Sequence, residues 1–234
     1  MQIVDVVHNL EQVRRRIAAA ARRAGRDPET VGLVAVSKSI GPEQIRKAME
    51  AGVQIFGESR VQELVRKHPD VPGPRWHFIG HLQRNKVKYL VGRVELIHSL
   101  DRWSLAEELD RRAREQGQPF RVLVQVKVGA EEGKFGVEAV KVGDFVNRVA
   151  GLRGLRVEGL MAMAPFCDDP EQARPYFREV KRLFDGLAGV PGFERRYLSM
   201  GMSSDYEVAV EEGANLVRVG TAIFGPRKCT LREG

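Results

Sequence analysis

The chain has 234 residues, 43% of them hydrophobic and 29% charged, an ordinary globular composition that is long enough to bury a core without staples. Its two cysteines, Cys167 and Cys229, share no metal-ligand spacing, which argues against a disulfide framework or a zinc site. The net charge of +7 is spread along the chain, and its densest cluster (Arg14, Arg15, Arg16, Arg22 and Arg23) has no aromatic stacking platform beside it, which argues against specific nucleic-acid recognition.

No window reaches the roughly 18 apolar residues of a membrane span. The segment from Met1 to His8 lacks a basic region followed by a long apolar stretch. A soluble, cytoplasmic protein with one domain over residues 1–234 is expected.

Apolar runs alternate with amphipathic stretches from end to end. Residues 2–24 read as a leading helix, closed by Gly25 and Asp27-Pro28. The first strand is 31–37. Pro42 opens the next helix at a position where proline is tolerated, and Gly52 stops it. A strand over 53–56 and a helix over 58–67 follow, then a strand over 76–79 and a helix over 83–90. The fourth strand is 94–98, leading to a long helix that ends near Gln116. The fifth is 121–128, followed by a helix over 137–150. The sixth is 157–163, followed by a helix over 170–187. The seventh is 197–200, with a short helix over 205–212 stopped by Gly213, and the eighth is 216–219.

Eight apolar strands separated by helices predict an α/β fold, a closed (β/α)₈ TIM barrel with an extra N-terminal helix. An open doubly wound sheet is the alternative. Barrel sites lie at the C-terminal strand ends. That rule selects Lys38, Ser59, Gly80-His81, Gly201 to Ser204, and Gly220-Thr221.

Lys38 closes the first apolar run and so sits at the rim of the core. Partial desolvation there lowers an ammonium pKa and frees the amine as a nucleophile, suited to a Schiff base with a carbonyl compound. Simple snorkelling into solvent is the alternative. Two loops read as phosphate cradles: Ser199 to Asp205, and Arg218 to Gly225. Gly201 and Gly220 allow close backbone approach, and Ser203, Ser204 and Thr221 add hydroxyls. Ordinary helix capping by Ser204, with Glu207 three residues on, is the competing reading.

Seven stretches carry a resemblance that spans nearly the whole chain. They are Leu33-Val-Ala-Val-Ser-Lys-Ser39, Phe56-Gly-Glu-Ser-Arg-Val-Gln-Glu63, Trp76-His-Phe-Ile-Gly-His-Leu-Gln-Arg-Asn-Lys86, Lys134-Phe-Gly136, Gly159-Leu-Met161, Leu198-Ser-Met-Gly-Met-Ser203 and Arg218-Val-Gly-Thr-Ala-Ile-Phe-Gly225. With these the chain closely resembles the YggS/PROSC family of pyridoxal-phosphate-binding proteins, which share the barrel of the alanine racemase N-terminal domain. The resemblance implies that Lys38 carries pyridoxal 5′-phosphate (PLP) as a Schiff base. It implies that Ser203, Gly220 and Thr221 hold the phosphate, with Ser204 as a helper, and that Arg218 faces the pyridine nitrogen. It departs at Ser59-Arg60, where the family more often has Asn-Tyr, and at Gly133, where serine is frequent.

The resemblance further implies a role in PLP (vitamin B6) homeostasis without clear catalytic activity. PLP-dependent apo-enzymes are the implied recipients, and a monomer or weak dimer is expected. Only 14 residues follow Gly220, so the β domain that gives racemases their second catalytic face is expected to be absent. Among the tyrosines, Tyr206 lies nearest the phosphate loop in sequence. A PLP-dependent, racemase-like enzyme of unknown substrate is the alternative, and a lysine aldolase acting on a phosphosugar is a third reading. No metal or membrane partner is read. His77 and His81 straddle a strand end and a turn, which removes the meaning of their spacing.

Overall fold

Eight parallel strands pair side by side until the last meets the first. The structure is a computed structural model and describes residues 4–129 and 135–226. Gly133, Lys134, Cys229 and the C-terminal residues 227–234 therefore lie outside the described residues. The strands are β1 (Gly32–Val36), β2 (Ile55–Glu58), β3 (Arg75–Phe78), β4 (Leu96–Leu100), β5 (Phe120–Lys127), the two-residue β6 (Val137–Glu138), β7 (Leu155–Ala162), β8 (Phe193–Ser199) and β9 (Leu216–Val219). The ring runs β4-β3-β2-β1-β9-β8-β7-β5 and is closed by β4 on β5, with Ile97 opposite Val122. Strand β6 pairs only with the end of β5, where Val126 faces Val137. Every pairing is parallel, as helical crossovers require.

The helices are α1 (Val6–Arg23), α2 (Pro42–Glu50), α3 (Val61–Asp70), α4 (Trp103–Gln116), α5 (Val142–Ala150), α6 (Arg174–Gly186), α7 (Tyr206–Glu211) and α8 (Thr221–Phe224). Helix α1 starts where the Asp5 side chain accepts a hydrogen bond from His8 N. It buries Val6, Leu10, Val13, Ile17, Ala20 and Ala21, a stripe at three- and four-residue spacing. Its basic residues face partners on the barrel: Arg16 Nε donates to Glu207 at 2.7 Å and Arg23 Nε to Glu211 at 2.7 Å. Two of the five clustered arginines thus fasten a cover onto α7.

Several element boundaries differ from the sequence expectation: α1 begins at Val6 rather than 2, α3 at Val61 rather than 58, β4 at Leu96 rather than 94, α6 at Arg174 rather than 170 and β8 at Phe193 rather than 197. The second strand starts two residues late because Val53 N still bonds to Ala48 O in the turn that ends α2. The expected helix over 83–90 is a 3-10 run, Arg84–Tyr89, whose first turn has basic residues, no acid and no side-chain cap. The expected helix over 137–150 begins only at Val142, after β6 and a 3-10 turn. Helix α8 was read as loop because four residues show no period.

The larger core lies between barrel and helices, where Phe56, Phe78, Leu64 and Phe177 are buried. A smaller cluster of Val34, Leu96, Leu123, Met161 and Leu216 comes from strands all round the ring and fills the barrel itself. Among the described residues, no helix is long and apolar enough to cross a membrane.

Candidate functional site

Lys38 sits in a tight turn directly after β1. Ile40 N donates to Ser37 O at 2.9 Å and closes the turn around Lys38 and Ser39. Ser39 has φ +64, which no other described non-glycine residue matches in sign. A left-handed non-glycine residue is strained by about 1 kcal/mol or more, so the surroundings must hold it.

They do so through a charged cluster. Ser39 N donates to Glu63 Oε2 at 2.8 Å. Ser37 N donates to Gly57 O at 3.0 Å, and Ser37 Oγ to Glu58 Oε1 at 2.8 Å. Lys67 Nζ, with its side chain 3% exposed, donates to Ser37 O at 2.7 Å, Glu58 Oε1 at 2.6 Å and Glu63 Oε2 at 3.0 Å. Burial pushes the Glu58 carboxyl up, against Lys67 and Ser37. Burial acts the same way on Glu63, but the Ser39 N–H, Lys67 and Arg60 outweigh it and hold its carboxyl below the usual range.

Beside this turn, β1 pairs with β9, and Ala35 lies opposite Val219. Gly220 follows at once and packs on Val36: a Cβ there would lie 3.2 Å from Val36 Cβ and 3.3 Å from Val36 O. The loop after β8 reaches the same point. Ser203 Oγ accepts from Gly220 N at 3.2 Å and from Ala222 N at 3.3 Å, so two backbone donors converge on one oxygen. Gly201 makes that loop path possible. Its φ is +85, and a Cβ would fall 2.6 Å from Ala209 Cβ and 2.7 Å from Tyr206 Cα. Ser204 and Thr221 are exposed at the rim. The residue before helix α7 is Asp205, which makes no side-chain cap; its carboxylate instead accepts from Met202 N in the preceding turn at 2.6 Å, and the capping bond from Ser204 that the competing reading required does not occur among the described residues.

Under this mouth lies Arg218, only 3% exposed. Its Nη1 donates to Ser199 O at 2.9 Å and Ser199 Oγ at 2.6 Å, and its Nη2 to Ala162 O at 2.9 Å. Burial lowers its pKa to about 10, opposed by Asp205, so it remains a cation at neutral pH. The contacts continue across the barrel: Ser199 Oγ is 3.1 Å from His98 Nδ1, and His98 Nε2 is 3.0 Å from His77 Nδ1. Strands β4 and β8 are not neighbours, so the His98–Ser199 contact crosses the interior. Arginine only donates, so Ser199 accepts from it and gives its own hydrogen to His98 Nδ1. His98 then donates from Nε2 to His77 Nδ1, leaving the buried His77 Nε2 without a partner among the described residues. Burial keeps both rings neutral, pushing His77 to about 3 and His98 well below its ordinary value.

The structure thus brings Lys38, Ser203, Gly220 and Thr221 to neighbouring strand ends, with Arg218 beneath. His77 points inward, as one sequence reading allowed. His81 instead stacks on Phe135 at 3.6 Å, and no metal-binding cluster occurs among the described residues. Tyr206 is buried beneath Arg16 of α1, with 5.5 Å from guanidinium to ring centre, and so packs on the barrel's outer cover. Ser59 Oγ is buried without a hydrogen-bond partner among the described residues, and Arg60 lies 3.6 Å from Glu63. Sequence reasoning gave no role to Glu58, Glu63, Lys67, His98 or Ser199. Glu63 and Lys67, four apart on a helix, were visible as a pair, but that spacing reads as an exposed surface pair.

Comparison with known proteins follows the same lines. Residues 6–228 match the family described as alanine racemase, N-terminal domain. A pyridoxal phosphate homeostasis protein of Aquifex aeolicus is 44% identical over 227 residues, covering 96% of this chain and 100% of the relative. The structure of PipY from Synechococcus elongatus with PLP bound is 34% identical with a TM-score of 0.82, covering 94% of this chain and 100% of that one. An alanine racemase from Streptomyces lavendulae has a TM-score of 0.71 at 22% identity, covering 95% of this chain and 57% of the racemase, a likeness of fold alone.

Proposed function

Because this chain belongs to the family of pyridoxal phosphate homeostasis proteins built on the alanine racemase N-terminal barrel, we propose that it holds pyridoxal 5′-phosphate on Lys38 and acts in PLP homeostasis as a carrier. The observation that carries this reading is the convergence of the Lys38 turn with the Ser203–Gly220–Ala222 donor cluster on strands β8, β9 and β1.

The residues fit the group. A phosphate needs converging N–H donors and no side chain in the way. Gly220 N and Ala222 N already aim at one acceptor oxygen, and the missing side chain of Gly220 lets its backbone pack closely on Val36 of β1, which brings these donors beside the Lys38 turn. These N–H groups would hold the phosphate together with the hydroxyls of Ser203, Ser204 and Thr221. Arg218, a cation fixed by Ser199 and Ala162, would face the pyridine nitrogen and disfavour its protonation. When bound, PLP supplies an aldehyde that a lysine amine captures reversibly, and an electron sink whose strength depends on that nitrogen. An unprotonated nitrogen weakens the sink, which suits carriage better than turnover.

Exposure of Ser39, Ser204 and Thr221 leaves the described part of the mouth open to solvent. Openness suits loading and release to PLP-dependent apo-enzymes, and suits poorly a reaction that must exclude water.

The deciding experiment is the visible absorption spectrum of the purified protein with PLP, before and after borohydride, in wild type and Lys38→Ala. The expected result is a band that borohydride converts into a covalent adduct on Lys38 and that the variant lacks. An unchanged band in Lys38→Ala removes the assignment. Amino-acid turnover that depends on Lys38 would replace the carrier reading with the racemase-like one.

A further inference from the structure

The Lys38 turn is fastened on both sides of the lysine by one buried charged cluster. Ser37 is bound through its N, O and Oγ, and Ser39 through its N. Three of these four groups bond to Glu58, Glu63 or Lys67. Those three side chains bond to one another as well, with Lys67 Nζ between the two carboxyls. Glu58 belongs to β2, while Glu63 and Lys67 belong to α3, so the cluster ties the β1 turn to a second strand and its helix.

The arrangement is not what packing alone would select. A buried ion cluster pays heavily in lost hydration, and apolar side chains of equal volume are commonly as stable. Glu58 Oε2 is buried with no hydrogen-bond partner among the described residues, so even the cluster's own polar groups are incompletely satisfied there. What the charges do supply is direction. They hold Ser39 at φ +64, a conformation that a serine does not keep unaided.

We propose that Glu63 and Lys67, with Glu58, are positioning residues that fix the Lys38 turn and so present the Lys38 amine to an incoming carbonyl in one orientation. The inference rests on Lys38 being the attachment residue. A lysine on a mobile turn samples many directions, and restricting it to the productive one raises its rate of capture.

The test compares wild type with Lys67→Met, Glu63→Ala and Glu63→Gln. The first readout needs no PLP: trinitrobenzenesulfonate labelling of Lys38, followed by peptide mass spectrometry relative to exposed lysines of the same sample. The second is the rate at which added PLP forms the borohydride-fixable band. In Lys67→Met and Glu63→Ala, relative labelling of Lys38 is expected to change at least threefold, and PLP uptake to slow roughly tenfold, since small displacements of a reacting group carry penalties of this size. Glu63→Gln keeps an acceptor for Ser39 N and is expected to recover most of the loss seen in Glu63→Ala. A purely structural role would lower the unfolding midpoint in all three while leaving both Lys38 readouts of the folded protein within about twofold of wild type, and that pattern overturns the proposal. Glu63 is partly exposed, so its two variants keep the test decisive even if Lys67→Met does not fold. If wild type forms no fixable band, the PLP assignment fails while the labelling comparison still decides the clamp.

Discussion

A single hydroxyl separates phosphate recognition from recognition of the rest of the cofactor. Thr221 is exposed at the rim, and its side chain makes no hydrogen bond among the described residues, so removing it leaves the loop's own contacts intact. A hydrogen bond to a charged group is worth about 1.5–3 kcal/mol. Thr221→Ala should therefore weaken PLP roughly tenfold or more by absorbance titration, while unphosphorylated pyridoxal stays within about twofold. Equal losses for the two ligands would remove Thr221 from the phosphate site. At this scale the sequence was legible where chemistry is local. A lysine ending an apolar run, glycines after strands and hydroxyls beside them all announce themselves. Arg218 was placed by resemblance, but its burial and its partners Ser199 and Ala162 were not readable.

Helix α1 shows how apolar area and charge divide their work within one element. Leu10 and Ala20 have no exposed surface, whereas Arg16 and Arg23 pair with Glu207 and Glu211 at the solvent boundary. Burial is therefore expected to dominate the helix's attachment. Leu10→Ala should lower unfolding free energy by about 2–5 kcal/mol in a urea titration. Arg23→Ala should lower it by no more than about 1 kcal/mol, because exposed pairs gain little over their hydrated state. The reverse order would mean that charge, not packing, docks the helix. The 3.6-residue period of α1 made the element legible. Its role as a cover was not, because the acids that receive its arginines lie nearly two hundred residues away, at 207 and 211.

The barrel as a whole encloses two histidines that are neutral when folded, and this sets a pH dependence. In the unfolded chain each has an ordinary pKa of about 6.5. Burial pushes His77 down to about 3 and His98 well below its usual value. Below about pH 6.5 the unfolded state binds protons that the folded state refuses, so stability falls as pH falls, by about 1.4 kcal/mol per pH unit for each histidine. For His77 that loss ends near its folded value of about 3. The raised carboxyls of Glu58 and Asp205 act in the opposite direction, since the folded state binds their protons first. The histidine contribution is isolated by comparing urea unfolding of wild type and His77→Gln at about pH 7.5 and about pH 5. The variant keeps an acceptor for His98 Nε2 and should show a shallower fall. An equal fall in both proteins would mean that His77 is not held neutral.

By itself, the sequence determined the order of the eight barrel strands and of the main helices between them, though not β6 or α8, and the strand ends where a site could form. Those properties depend on local hydrophobic period, on glycine and proline, and on which residue closes an apolar run. It also carried the family, because seven motifs spaced along the chain are hard to match together by chance. Only the tertiary structure decided that Glu58, Glu63 and Lys67 meet under the Lys38 turn, and that Ser199 and His98, 101 residues apart, link across the barrel. The reason is physical. A Glu and a Lys four apart have the same local geometry in water and in a core, and what separates the two cases is the dielectric and the third partner, which come from β1 and β2 when they pair side by side beneath α3.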